Sequence, residues 1–360
     1  MPTDPAGLLT VDLGAIADNW RSLRARHGAD VAGVVKADAY GLGAAPVGRA
    51  LRDAGCRHFF VAHLAEGMAL RSAVGPGPMI AVLNGFRPEE DGDADLTPVL
   101  NTPQDVAAWG AAEIPAQGPH DAILHIDTGM NRLGLSAKET AALAEDPSPL
   151  RRLLLRFVMT HLACADDPWH RLNAAQATRF AAARRRLPEA PASLANSSGI
   201  FLGPGFASDL ARPGCALYGI NPTPGRPNPM QQVVTLEAPV LQVRDVPPGM
   251  PVGYGASWVA YRPSRIATVA AGYADGYLRA LSGRAVARHR GRDVPLAGRV
   301  SMDLTTFDVT DHPEIGIGSS ITLIGPGLTP DDLAARAGTI GYEILTSLGA
   351  RYRRAYLPAP

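Results

Sequence analysis

The chain has 360 residues, 46% of them hydrophobic, with 34 Lys plus Arg balancing 34 Asp plus Glu for a formal net charge of +0. That balance excludes binding driven by bulk electrostatics, so neither nucleic acid nor an anionic membrane surface is an expected partner. No basic and apolar leader segment opens the sequence and no stretch nears the ~20 apolar residues of a membrane span, so a cytoplasmic protein is expected.

The length accommodates two domains with cores of their own. From Val11 the pattern VDLGAIADNWRSLRARHG predicts an amphipathic helix, with Leu13, Ile16, Trp20 and Leu23 on one face and Gly28 closing it. In VAGVVKADAYGLG (31–43) an apolar run of strand character stops at Lys36 and breaks into glycine-punctuated loop. Strand candidates then recur: AGVVK (32–36), HFFVAH (58–63), PMIAVL (78–83), TPVL (97–100), AILHID (122–127), LLRFVMTHL (154–162), ASLAN (192–196) and SDLAR (208–212). Between them lie helical patterns such as APVGRALRDAG, PQDVAAWGAA and HRLNAAQATRFAAARRRLP. Eight strands alternating with helices predict an α/β fold of (β/α)8 TIM-barrel type, with a doubly wound sheet as the alternative. NPTPGRPNP (221–229) reads as a linker, and the remainder carries short β-type runs separated by proline, glycine and charge. The predicted division is a barrel over 8–228 and a mostly β domain over 229–360, with the first few residues free to pack on the latter. Cys56, Cys164 and Cys215 are few, scattered and outside any CxxC pattern, so they read as reduced thiols, and no metal site is expected from them.

The lysine count singles out one position. Only Lys36 and Lys138 occur, so nearly every cationic position is arginine. An amine can lose its proton near neutral pH when desolvated and can condense with an aldehyde, which a guanidinium cannot. Lys138, in SAKETAALAED, fits a solvated helix face; Lys36 ends a buried strand. Chemistry in such a barrel sits at the carboxyl ends of the strands. There the sequence places Lys36 and Tyr40, then His125 and Asp127 followed by Arg132, then His161, Asn196 with Ser197, and Arg212. Each alone is ordinarily a satisfied turn or core group, but their repetition at one end points to a site. A metal-dependent hydrolase using His63, His125, Asp127 and His161 is a competing reading, although such sites favour an HxH pair on the first strand, where this chain has Lys36.

Taken together, VVKADAYGLG, DTGMNRLGL, MTHLACAD, ANSSG, LARPGCALYG, VGYGASW, AGYADGY, GRVSMD and GYEILTSLGAR resemble, in order, the fold type III enzymes that use pyridoxal 5′-phosphate (PLP), and among them the alanine racemase family. The resemblance implies an amino-acid racemase that interconverts L- and D-alanine and supplies D-alanine for peptidoglycan. It assigns Lys36 to the cofactor aldehyde, Tyr40, Ser197 and Tyr342 with the backbone at Gly214 and Cys215 to its phosphate, Arg212 to its pyridine nitrogen, and His161 and Asn196 to its ring. Racemisation needs acid/base groups on both faces of the α-carbon. The resemblance supplies Lys36 and Tyr254, the latter from the partner subunit of a homodimer, with Arg132 on the substrate carboxylate and Tyr273, Met302 and Asp303 at the mouth of the partner's site. An arginine at the pyridine nitrogen donates a hydrogen bond and keeps that nitrogen neutral, weakening the electron sink and favouring return of the proton over transamination.

Two positions depart from the family pattern. Where many members have a carbamylated lysine two residues before the aspartate of DTGM, this chain has His125, so Arg132 is expected to be held by His125, an anion or water, and bicarbonate is expected not to change activity. Asp38 stands where many members have asparagine. Remaining alternatives are a racemase of serine, basic or other amino acids, a fold type III decarboxylase, and a non-catalytic PLP-binding barrel, which lacks the β domain.

Overall fold

A computed structural model describes residues 7–91, 94–113 and 119–358. The chain forms two compact units: one of Ile16–Ala39 and Gly43–Gln231, the other of the described residues up to Ala15, Tyr40–Leu42 and Gln232 onward. Residues 1–6, for which packing on the β domain is one expectation, and 359–360 lie outside the described residues. No helix among the described residues is long and apolar enough to cross a membrane.

In chain order, β1 (Leu8–Asp12) precedes helix α1 (Leu13–His27), so the helix expected from Val11 starts two residues later, after a strand. The barrel strands are β2 (Asp30–Val31), β3 (Gly33–Val34), β4 (His58–Val61), β5 (Met79–Val82), β6 (Thr97–Leu100), β7 (His120–His125), β8 (Leu153–Met159), β9 (Ala192–Asn196) and β10 (Leu210–Arg212). All eight predicted strands are present, and the first is split at Ala32. Its halves close the ring of parallel strands: β2 pairs with β10 through Leu210↔Asp30, and β3 pairs with β4 through Gly33↔Phe59. Near-continuous apolar runs such as Phe59, Phe60, Val61 and Ile80, Ala81, Val82 are fully buried, as strands covered on both faces require. Helices follow the strands with legible starts. Thr102 accepts from the Asp105 N–H at 3.1 Å and Ser136 from the Glu139 N–H at 3.3 Å, each completing a capping box.

The second unit is built on β11 (Val234–Val246), which pairs antiparallel with β1, Ser264–Val269 and Ser320–Ile324. On its other side β1 pairs in parallel with Arg353–Leu357, and its Leu9 and Val11 are fully buried. The segment DDLAARAGTIGYEILTSLGARY forms two helices, Pro330–Ala337 and Gly341–Thr346, because Gly338 adopts φ 75° and closes the first.

Candidate active site

Lys36 follows the first barrel strand, whose Val35 N–H donates to Phe60 O at 2.9 Å. Behind it the chain does something the sequence does not announce: Ala37, Asp38, Ala39 and Tyr40 all take φ between 51° and 57°, one left-handed turn made of non-glycine residues. Each such residue costs roughly 1 kcal/mol or more, so the surroundings must hold it. The Ala37 N–H donates to Glu66 Oε1 at 2.7 Å, and the Ala44 N–H to Asp38 Oδ1 at 2.6 Å. Glu66 Oε2 also accepts from Ala62 N–H at 2.7 Å and His63 N–H at 3.2 Å, tying the second strand end to the turn. The Lys36 amine is held below its ordinary pKa, first by burial and then by the Arg132 charge, with Glu66 opposing. The shift raises the share of neutral amine, which is the form that attacks an aldehyde.

Arg212 ends β10, buried. It donates to Ser193 Oγ at 2.5 Å and Thr160 O at 2.5 Å, and its guanidinium lies 3.4 Å from His161 Nδ1. Burial pulls its pKa to about 10, still far enough above neutrality to keep the cation. Its named partners are a hydroxyl, a carbonyl and an imidazole, leaving donor capacity suited to a further neutral acceptor such as a pyridine nitrogen. The His161 pKa lies well below its ordinary value through burial, then through Arg212, Arg132, His125 and Lys36, so this ring is neutral among cations. Gln176 holds its backbone, donating to His161 O at 2.8 Å.

Asp127 works differently from the strand-face partner of His125 that alternation suggests. Its oxygens accept the N–H groups of Gly129, Met130 and Asn131 at 2.9 to 3.1 Å, building the turn that presents Arg132. With those oxygens so engaged, a metal-ligand role for Asp127 loses its chemistry, and no group of three or more His, Cys, Asp or Glu able to hold a metal occurs among the described residues. Asn196 Oδ1 accepts the Gly199 N–H at 2.9 Å. Ser197 Oγ receives two backbone donors, Gly214 N–H at 3.0 Å and Ala216 N–H at 3.3 Å, on the turn containing buried Cys215. A hydroxyl oxygen that accepts two backbone N–H groups keeps its own O–H to donate to a phosphate oxygen, so the residues present fit PLP at both its ends. Lys36, Arg132, His161 and Arg212 thus share one electrostatic neighbourhood, with His125 among them.

The other predicted residues lie in the second unit. Tyr40 meets Tyr342 edge-on, centroids 6.2 Å apart. Tyr254 stands 71% exposed between Gly253 and Gly255, both at positive φ, which lifts it clear of the sheet. The loops carrying Tyr273, Met302 and Asp303 are knitted together. Tyr273 N–H donates to Ser301 O at 3.0 Å and Ala274 N–H to Met302 O at 2.9 Å, while Arg351 bridges Asp275 at 2.6 Å and Asp303 at 2.7 Å. Gly272 permits this approach, since a Cβ there would lie 2.3 Å from Met302 O. Sequence reasoning passed over Glu66, Asn101, Thr160, Ser193 and Arg351. Glu66 carried one signal, its place three residues after His63 at a helix start.

Comparison with known proteins agrees with this geometry. The family models for the alanine racemase N-terminal and C-terminal domains match residues 11–222 and 233–356. The alanine racemase of Acidiphilium cryptum is 57% identical over 349 residues, 96% of this chain and 97% of that protein. That of Rhodospirillum rubrum is 54% identical over 356 residues, 97% and 95% respectively. The crystal structure of alanine racemase from Bartonella henselae with covalently bound pyridoxal phosphate has the same fold, with a TM-score of 0.92 at 39% identity over 98% of this chain and 99% of that one. With both domains matched in order and a relative 57% identical over nearly the whole chain, the chain belongs to the alanine racemase family.

Proposed function

We propose that this enzyme interconverts L- and D-alanine with PLP at the carboxyl end of its barrel, using Lys36 and the partner subunit's Tyr254 as the two acid/base groups. The observation that carries the reading is the depressed amine of Lys36, followed by a strained turn and influenced by Arg132, with both Lys36 and buried Arg212 acting on His161. When bound, PLP withdraws electron density from the α-carbon so that its proton becomes removable. The residues then divide the work. Lys36 anchors the cofactor and takes or returns the proton on one face; Tyr254 does so on the other. Arg132 holds the substrate carboxylate, and Arg212 donates to the pyridine nitrogen without surrendering its proton. Ser197, Tyr40 and Tyr342, with backbone N–H groups at Gly214 and Cys215, hold the phosphate. His161 and Asn196 border the ring, and Tyr273, Met302 and Asp303 narrow the mouth so that a methyl side chain suits it.

Two copies are needed if the second base comes from a partner, and the exposure of Tyr254 (71%), Tyr273 (41%) and Met302 (54%) in one chain supports a surface covered by another subunit. The D-alanine formed serves peptidoglycan synthesis in the cytoplasm. The test is racemisation of either alanine enantiomer by the purified holoenzyme, with serine and lysine as competing substrates. Lys36→Ala abolishes both turnover and the borohydride-bleachable visible band; Tyr254→Phe keeps the band and loses most turnover. Full turnover by Tyr254→Phe in both directions would refute the two-base assignment.

A further inference from the structure

Asn101, at the end of β6, is buried, and nothing in the reaction described above uses it. Its side-chain amide has a determined orientation. Nδ2 donates to two carbonyls, Leu83 O at 3.0 Å and Val99 O at 3.1 Å, so Oδ1 must be the atom that faces His125 Nδ1, 2.7 Å away. An amide oxygen only accepts, so the proton on this contact belongs to His125 Nδ1. The backbone fixes the amide further, since the Asn101 N–H donates to Asp105 Oδ2 at 3.0 Å. Gly134 lies against the ring, where an added Cβ would come within 3.1 Å of His125 Cδ2.

The charged and titratable groups that act on His125 are Arg212, Asp127 and Arg132, and His161 is coupled to it. Burial and the two guanidiniums push its pKa down to about 4, so the ring carries a single proton at neutral pH. With that proton on Nδ1, Nε2 is a bare acceptor.

We propose that Asn101 is a positioning residue for racemisation: it pins neutral His125 in the Nδ1–H tautomer, so that among its charged neighbours Arg212 and Arg132 the ring offers a bare Nε2, neither a donor nor a cation. The proposal rests on the reading that Arg132 holds the substrate carboxylate. If the tautomer inverts, Nε2 becomes a donor, from which neighbouring guanidiniums, having nothing to accept with, gain nothing. The loss falls on substrate binding.

Two measurements on the holoenzyme test this. Side-chain nitrogen NMR of ¹⁵N-histidine-labelled protein is expected to show His125 neutral with its proton on Nδ1 near pH 7, and to show that preference lost in Asn101→Ala. Kinetically, Asn101→Ala is expected to raise the KM for alanine about tenfold, the size typical of an outer hydrogen-bond partner, with kcat within about twofold. In a His125→Asn background, which has no tautomer to set, Asn101→Ala is expected to add little further. A His125 proton on Nε2 in the wild type overturns the proposal, and so does an Asn101→Ala effect that is undiminished in the His125→Asn background. Absence of racemisation by the wild type would instead overturn the functional reading, and the NMR result would stand apart from it.

Discussion

His125 and His161 are kept neutral inside a cluster of cations, and that has a cost in acid. Each has a folded pKa depressed below the ordinary 6.5, to about 4 for His125. In the unfolded chain both protonate as pH falls below that ordinary value, while in the folded protein they resist. Stability from these groups is therefore present above pH 6.5 and is lost as pH falls towards the folded value. For His125 the shift corresponds to roughly 3 kcal/mol, an order-of-magnitude figure. Urea melts between pH 7 and pH 4.5 should show a steep decline that is visibly shallower in His125→Asn, and an unchanged slope would assign the acid sensitivity elsewhere. The same neutrality bears on bicarbonate: His125 cannot carry a stable carbamate, so initial rates are expected to be the same with and without added bicarbonate.

The turn after Lys36 is where element-level reasoning and the sequence part company. Eight strands and the helices between them were legible because buried parallel strands are apolar throughout and helix starts carry capping residues, as at Thr102 and Ser136. The left-handed turn was not legible, because Ala37, Asp38, Ala39 and Tyr40 carry none of the glycine that normally marks positive φ. Its conformation is imposed from outside, largely by Glu66, a residue 29 positions away from the Ala37 it holds. Asn101 was hidden for a related reason: next to Thr102 and Asp105 it reads as part of a helix start, and only the closed barrel brings it to His125. Lys36 and Arg212 were legible because each is a residue type whose chemistry is conspicuous at a strand end. Two substitutions test the turn. Glu66→Ala removes the acceptor for three backbone N–H groups and should cost about 1–2 kcal/mol in chemical melts while slowing cofactor attachment. Ala37→Gly relieves strain at φ 51° on an exposed position, so melting temperature should hold or rise slightly, while kcat falls about two- to fivefold as Lys36 loses its fixed direction.

At the scale of the molecule, an active site assembled from two subunits makes a prediction that one-chain catalysis does not. On the proposed two-subunit site, the Lys36→Ala and Tyr254→Phe enzymes, each nearly inactive, should regain racemisation when co-expressed or unfolded and refolded together, because a mixed dimer would hold one site with both bases intact. Failure to complement, in mixtures where mixed dimers are demonstrated by mass spectrometry, would return Tyr254 to its own chain. Strand β1 adds a constraint of another kind. It precedes both strands that flank it, Val234–Val246 and Arg353–Leu357, by long stretches of chain, so both are made much later than β1 itself. The barrel residues can begin to collapse while β1 has no partner. Its buried Leu9 and Val11 must wait in solution or on a chaperone until Val234–Val246 has been made. Nascent chains stalled before residue 234 should therefore leave β1 open to protease after the barrel has become resistant.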